Sequence, residues 1–424
     1  MSRSRTATGC VVVALGFSVA ACGDDGNDDA STGGSGSDSA KTAAKSVTVY
    51  SSFPLQGAGR AQSEAAVNGA KLALEQAGGK AGDISVTYTP LDDATAQAAN
   101  WTPEQTSANA RKAAQDKSTA AYIGEFNSGA SAVSIPILNE AGIAQISPSN
   151  TAVGLTTDEP GANPGEPDKY YPTGTRTFTR IVPKDTIQGA ALATLMKEDG
   201  CTKVQLLNDK EVYGAGLAKN IQSSAEAQGL TITSNEATDK NAANYRSLAQ
   251  KAKTAGADCM VFSGITANNA AQIFKDFAAA LPTAKLYGPD GVADSGFASP
   301  KEGIPADVAK RTKVTIATLS PDQYPPEGQE FFKTYTEKYG EQNPDPYAIY
   351  GYETMALALD AITRSKTGEK ADVVKALFAT KDRKSVLGTY SIDANGDTSL
   401  TDYGIYSIAD GNLKFDKTIK AQGS

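Results

Sequence analysis

The sequence predicts an α/β fold: two doubly wound parallel-sheet lobes joined by a hinge. Three observations carry that expectation. From residue 46, short β-branched runs alternate with stretches whose apolar residues recur at helical spacing. The alternation pauses in an irregular stretch over 150–175, then resumes as a second series. A chain of 424 residues is also too long for one small core.

The elements follow in order. Val47-Thr48-Val49-Tyr50 reads as a strand, and Pro54 to Gly59 as a turn-rich loop. Val67, Ala70, Leu74 and Ala77 recur at helical spacing until Gly78-Gly79 stops the helix. Ile84–Tyr88 alternates as a second strand, Pro103 opens a helix to about Asp116, and Ala121–Gly124 is a third strand. A helix across Val133–Leu138 and a strand over Ile143–Ile146 follow, then the irregular stretch and a strand over Thr177–Ile181. The second series has a helix carrying Ile187, Ala191 and Leu195, then strand Val204–Leu207 and a helix over 212–227. It continues with strand Leu230–Thr233, helix 245–254, strand 259–263, helix 267–279, strand Lys285–Tyr287 and strand Val314–Ala317. Beyond Pro325-Pro326, one helix places Phe331, Tyr335 and Tyr339 on a face, and another runs over 347–364. Leu387–Ile392 and Tyr403–Ile408 look like antiparallel strands, with Asp410-Gly411-Asn412 as a hairpin turn. Two βα series in succession imply two parallel sheets with helices on both faces. Ligands of such folds lie beyond the carboxyl ends of the strands and at domain interfaces, which here is the cleft between lobes.

The N-terminus reads as an address. Arg3 and Arg5 precede the apolar run Val11–Ala20, which is short of the about 20 residues a spanning helix needs. Residues 1–21 are therefore expected to be a signal peptide. Val19-Ala20-Ala21-Cys22 resembles the bacterial lipobox, which implies cleavage before Cys22 and acylation of its thiol. More than one acyl chain gives stable anchoring. Residues 22–45 are mostly Gly, Ser, Asp, Thr and Ala without apolar periodicity, a flexible tether. The expected location is extracytoplasmic, at the membrane through lipidated Cys22.

Composition narrows the function. Hydrophobic residues make up 40% and charged residues 21%, ordinary for a globular protein. The net charge of -8 leaves no basic footprint, so nucleic acid is set aside as a partner. There is no histidine, which removes a Ser-His-Asp triad, a Cys-His dyad and the usual zinc sites. No catalytic residue, metal or cofactor is expected, and the chain is not read as an enzyme. Of four cysteines, Cys10 leaves with the signal and Cys22 is the lipid site. Cys201 and Cys259 each begin an apolar strand. If those strands are neighbours the thiols share a sheet edge, either as a disulfide or as two small buried thiols. Without a Cys-x-x-Cys pair a redox role is not expected.

Candidate ligand groups sit in the loops that follow strands. Ser128 opens a helix, where a hydroxyl beside free N–H groups seats a carboxylate, or only caps the helix. Ser149 and Thr151 add hydroxyls, or form a local Ser/Thr turn. Asp290 would neutralise an ammonium from the opposite lobe, or only shape a Pro-Asp-Gly turn. Tyr213 would close over the ligand, or pack on Gly214. Asp92 and Asp93 are expected to fix a loop rather than touch ligand.

The ordered series of these loops resembles the Leu/Ile/Val-binding family of bacterial solute-binding proteins, with the type I periplasmic-binding fold. The matching pieces are Pro54-Leu55-Gln56-Gly57, Asn68-Gly69-Ala70, Asp92-Asp93, Ile146-Ser147-Pro148 with Thr151, Asp209-x-x-x-Tyr213-Gly214 and Gly288-Pro289-Asp290-Gly291. The resemblance implies that Ser128 and Thr151 hold an α-carboxylate, that Asp290 holds the ammonium and that Tyr213 comes from the second lobe. It also implies three hinge crossings, so lobe one (46–180) regains 321–385 and lobe two (181–320) takes 386–424. The partners implied are a small solute, with branched-chain or other amino acids leading, and an ABC permease; a monomer is expected. The departures are Asp290 where relatives often carry Glu, no aromatic residue in the Ala58–Gln62 stretch, and the long irregular segment. Arg60 in that stretch would favour a more anionic solute. The rival readings are a ligand-sensing receptor of the same fold, a binding protein for amides or other small solutes, and a carboxylate-based extracellular hydrolase.

Overall fold

The computed structural model describes residues 45–342 and 344–420. The expected signal peptide, with Cys10, the expected lipid site Cys22 and all but the last residue of the expected tether lie outside them. Among the described residues no helix is long and apolar enough to cross a membrane.

The first series runs β1 (Ser46–Phe53), α1 (Arg60–Gln76), β2 (Lys80–Ala81), β3 (Ile84–Asp92), β4 (Ala94–Thr95), β5 (Asn100–Trp101), α2 (Pro103–Gln115), β6 (Thr119–Gly124), α3 (Ser128–Glu140), β7 (Ala144–Ser147) and β8 (Phe178–Arg180). Six strands form a sheet in the order β2-β3-β1-β6-β7-β8, parallel except where β2 meets β3. Successive strand residues point to opposite faces. Val49, Ala121 and Ile123 therefore enter one core, while Tyr50 and Tyr122 enter another under α2 and α3.

The second series runs α4 (Asp185–Glu198), β9 (Lys203–Asn208), α5 (Val212–Ala227), β10 (Thr231–Ala237), α6 (Arg246–Ala255), β11 (Cys259–Ser263), α7 (Ala270–Ala280), β12 (Lys285–Gly288), α8 (Ser295–Ala298), α9 (Ala306–Ala309) and β13 (Thr312–Ile316). There follow α10 (Pro326–Tyr339), α11 (Ala348–Ser365), α12 (Lys370–Phe378) and four strands: β14 (Arg383–Ser385), β15 (Gly388–Tyr390), β16 (Tyr403–Ala409) and β17 (Asn412–Ile419). The second sheet has the order β10-β9-β11-β12-β13-β16-β17. It is parallel as far as β13 and antiparallel beyond. Asp410 and Gly411 turn the last hairpin with φ of 54° and 75°, the pair of positive values a two-residue type I′ turn requires.

The chain crosses between the two sheets three times. After β13 it returns to the first half, where α11 lies along α1 and α12 rests on β6 and β7. Small residues make the α1–α11 approach close: a Cβ on Gly69 would stand 2.0 Å from the Ala348 carbonyl oxygen, and one on Gly351 2.0 Å from that of Ala66. The run 387–392 differs from expectation. Its strand is only β15, paired with β14 rather than with the large sheet, because Arg383 of β14 is drawn onto buried Glu353 of α11 at 2.7 Å.

β9 and β11 are neighbours, with Cys259 opposite Val204, and Cys201 is bonded to Cys259 across 5.9 Å between Cα atoms. Of the two alternatives the disulfide holds, at the amino ends of the strands and away from the cleft.

The first and third crossings are pinned together by a fully buried Arg180. Its Nε meets Asp397 at 2.6 Å, its Nη1 donates to the carbonyls of Asn150 and Ala152, and its Nη2 donates to Thr156. Burial alone would push Asp397 up, but Arg180 and Lys184 hold its carboxyl below the usual range.

Candidate functional site

The loops at the carboxyl ends of the strands meet around a cavity of about 40 Å³. On the first side, β6 ends at Gly124 and Phe126-Asn127-Ser128 leads into α3. Asn127 is the N-cap but makes no side-chain cap bond, so the first turn of α3 keeps unsatisfied N–H groups. Ser128 Oγ accepts from Ala152 N at 3.3 Å, and Ser149 Oγ donates to the Phe126 carbonyl at 2.7 Å. Each hydroxyl thus braces one loop against the other while lining the cavity.

On the second side, Tyr213 opens α5 and Asp290 follows β12. The Tyr213 hydroxyl donates to Asp290 Oδ1 at 2.7 Å. Tyr347, just ahead of α11, donates its hydroxyl to Asp290 Oδ2 at 2.5 Å. Asp209 holds the Tyr213 loop: its carboxylate accepts from Glu211 N, Ile265 N and Asn268 Nδ2. That explains why an acid stands four residues before the tyrosine.

Burial pushes the Asp290 carboxyl above its ordinary range, and the hydroxyls of Tyr347 and Tyr213 oppose the shift. Asp185, the first residue of α4, is fully buried, and neither of its oxygens makes a hydrogen bond of normal geometry. Burial pushes it up to about 8; the Thr151 hydroxyl opposes and the nearby Asp290 adds. Among the described residues no lysine or arginine lines the cavity. A buried carboxylate without a cation is costly, so this end favours a positively charged guest. The start of α3, with its N–H groups and dipole, favours a negative one. A small zwitterion satisfies both ends at once.

Four of the residues singled out in the sequence, Ser128, Ser149, Tyr213 and Asp290, line this one cavity. Thr151 stands behind it: its Oγ1 is buried without a partner and its carbonyl accepts from Asp185 N at 2.8 Å. Asp92 fixes a loop, accepting from Leu55 N, Gln56 Nε2 and Ala94 N. Arg60 corrects an expectation. It pairs with Glu64 at 2.7 Å on an exposed helix face and is absent from the cavity wall, so it gives no reason to expect an anionic solute. Tyr347, Gln62, Phe126, Asn127 and Asp185 escaped the sequence reading. Tyr347 and Gln62 belong to helices that return to or begin the first half, where no strand end marks them. Asp185 gave no local signal, because an acid in the first turn of a helix is favoured there for structural reasons. The metal-type donors that cluster among the described residues are Cys201, Cys259 and Asp258, and the disulfide leaves no thiolate there.

A family model described as periplasmic binding protein matches residues 46–412. The Leu/Ile/Val-binding protein homolog 2 of Brucella abortus (strain 2308) is 27% identical over 363 residues, covering 85% of this chain and 90% of the relative. A leucine binding protein from Thermotoga maritima MSB8 superimposes with a TM-score of 0.77 at 20% identity, covering 88% of this chain and 99% of the other. A solute binding protein of an ABC transporter from R. palustris, solved in complex with benzoate, superimposes with a TM-score of 0.72 at 19% identity, covering 89% and 97%.

Proposed function

The chain belongs to the periplasmic binding protein family, and from that premise we propose that it captures a small amino acid in its interlobe cleft and delivers it to an ABC importer. The observation that carries the ligand class is the pairing, in one cavity, of the α3 start at Ser128 with the buried Asp290 and Tyr213. The curated relative named for Leu, Ile and Val supports the same class. In this reading residues 46–180 and 321–385 form one lobe, and 181–320 with 386–424 the other. Ser128 and Ser149 take the carboxylate with Thr151 behind them, Asp290 takes the ammonium, and Tyr213 covers the ligand. Cys22 carries the lipid that holds the protein, as a monomer, outside the membrane.

A second reading has one observation behind it: a relative of the same fold is solved with benzoate, which has no ammonium. Against it stand the buried carboxylates of Asp185 and Asp290, which such a ligand leaves unmatched.

The test is thermal unfolding of the purified protein, stripped of carried ligand by unfolding and refolding, against amino acids, amides and benzoates. A ligand bound only by the native state must raise the melting temperature. We expect a saturable rise with L-leucine, L-isoleucine or L-valine that Asp290→Ala abolishes. A rise with benzoate and none with any amino acid overturns the assignment and leaves the fold intact.

A further inference from the structure

Asp290 does more than face the cavity. Its turn is held from the opposite side of the cleft by two residues of the first half. Tyr347 stands at the start of α11, which lies along α1, and its ring packs edge-on against Phe126 with centroids 4.9 Å apart. Its hydroxyl reaches Asp290 Oδ2 at 2.5 Å. Gln62, on the first turn of α1, sends its Nε2 to two carbonyls of the same turn, Asp290 at 3.1 Å and Ala293 at 3.3 Å. Both side chains are almost wholly buried, at 3% exposed each. The side chains of Gln62 and Tyr347 make no other hydrogen bond among the described residues, so neither bond is incidental to a local role. The turn itself is seated tightly in the second half: a Cβ on Gly291 would stand 2.5 Å from the Gly264 carbonyl oxygen and 2.9 Å from the Tyr213 ring. A pull on the turn is therefore a pull on the whole second half.

We propose that Tyr347 and Gln62 are a closure clamp: by gripping the Asp290 turn across the cleft they set how firmly the lobes close and how long the solute is held. The proposal rests on the solute-binding reading, because closing is how such a protein retains its ligand. A clamp made of protein atoms stabilises the closed state whichever solute lies inside. Loss of one clamp bond lowers the closed population and raises the apparent Kd by the same factor. Because the grip breaks on opening, the change falls on release rather than on capture. Tyr347 also acts on charge. Asp290 is faced by the hydroxyls of Tyr213 and Tyr347 and by Gln188 and Asp185 of α4, with Tyr350 of α11 and Tyr403 of β16 near enough to feel its charge. Removing the Tyr347 hydroxyl takes away a donor that favours the carboxylate, whereas removing Gln62 touches only main-chain carbonyls.

The test uses the full-length protein and the variants Tyr347→Phe, which keeps the ring, and Gln62→Met, which keeps the length. Hydrogen exchange over residues 288–294 and emission from Trp101, the single tryptophan, which packs against Gly129 beside Glu211, report closure without ligand. L-leucine is the probe for release by stopped flow. We expect faster exchange over 288–294 in both folded variants, release of L-leucine about 10-fold faster, and association within about twofold. The acid limit of binding moves to higher pH in Tyr347→Phe and stays in place in Gln62→Met. Wild-type exchange and wild-type release in both folded variants overturn the clamp. If Tyr347→Phe does not fold, Gln62→Met decides alone. If L-leucine fails to bind the wild type, the amino-acid reading fails, and exchange over 288–294 still decides the clamp.

Discussion

At the residue scale, the buried acids make the strongest predictions. Asp185, pushed up to about 8 by burial, is mostly protonated at pH 7. An ammonium held by Asp290 lies near Asp185 as well, favours the charged forms and lowers both. Binding of an amino acid at pH 7 is therefore expected to release up to about one proton. Calorimetry in buffers of different ionisation enthalpy reads this as a slope, and Asp185→Asn should remove it; a wild type without slope rejects the assignment. Glu125 behaves differently, because it belongs to the fold. It lies fully buried with Asp93, and neither Asp93 oxygen nor Glu125 Oε2 has a donor. Burial pushes Glu125 from 4.5 up to about 7, against the opposing hydrogen bonds of Ser52 and Tyr122. Its folded pKa exceeds its unfolded one, so its share of stability is whole below about 4.5 and is lost as pH rises towards about 7. Urea midpoints should fall between pH 4.5 and 7.5, and Glu125→Gln should narrow the fall; an unchanged fall in that variant assigns it to other acids. Ser128, Ser149, Tyr213 and Asp290 were legible because each follows a strand end. Gln62 and Tyr347 were not, because what matters about them is the residue they face across the cleft, which no local pattern records; Asp185 was not, because its neighbour Asp290 is distant in the sequence.

At the element scale, the strands and long helices were legible because period and length agree: β1, α2, α5 and β11 stand within a few residues of where alternation and helical spacing put them. The elements that escaped are short or context-made. β2, β4 and β5 have two residues each and exist only as partners of neighbours. The long segment after β7 was legible as irregular but not as structured. Besides Arg180, one acid orders it: Glu166 accepts from Asn163 N and from the Tyr170 hydroxyl, both at 2.7 Å, and pairs with Lys169. Asn163 Oδ1 in turn accepts from Lys219 of α5, so this strap reaches the second half as well. The disulfide gives a cleaner prediction. It closes a separation of 58 residues between β9 and β11. Loop closure on that scale is worth about 4 kcal/mol in the chain-entropy account. It sits at the amino ends of the strands and the cleft at their carboxyl ends. Replacing both cysteines with serine should lower the melting temperature by several degrees and leave affinity for L-leucine within about twofold. A large loss of affinity in that variant means the second lobe transmits strain along its strands.

At the scale of the whole molecule, the question is what ties a hinge to a binding loop. Surface pairs do not: Lys414 and Asp410 are 54% and 87% exposed, and solvent screens such a contact. Arg180 and Asp397 differ in kind, at 0% and 10%. Removing one partner of a buried pair strands the other charge and costs about 3–5 kcal/mol. Arg180 also holds the carbonyls of Asn150 and Ala152, the residues on either side of Thr151, while Asp397 belongs to the third crossing. One guanidinium therefore sets the distance between two hinge segments and the position of the loop that braces Ser128. Asp397→Asn is expected to lower stability by about 3–5 kcal/mol and, in the folded remainder, to weaken L-leucine binding, because the 150–156 loop loses its anchor to the hinge. Lys414→Ala should do neither. Equal stability losses in the two variants, read from urea unfolding, reduce the Arg180 hub to one more ion pair. A stability loss with unchanged affinity separates hinge from site, and then the cleft geometry must be held by α3 and α4 alone.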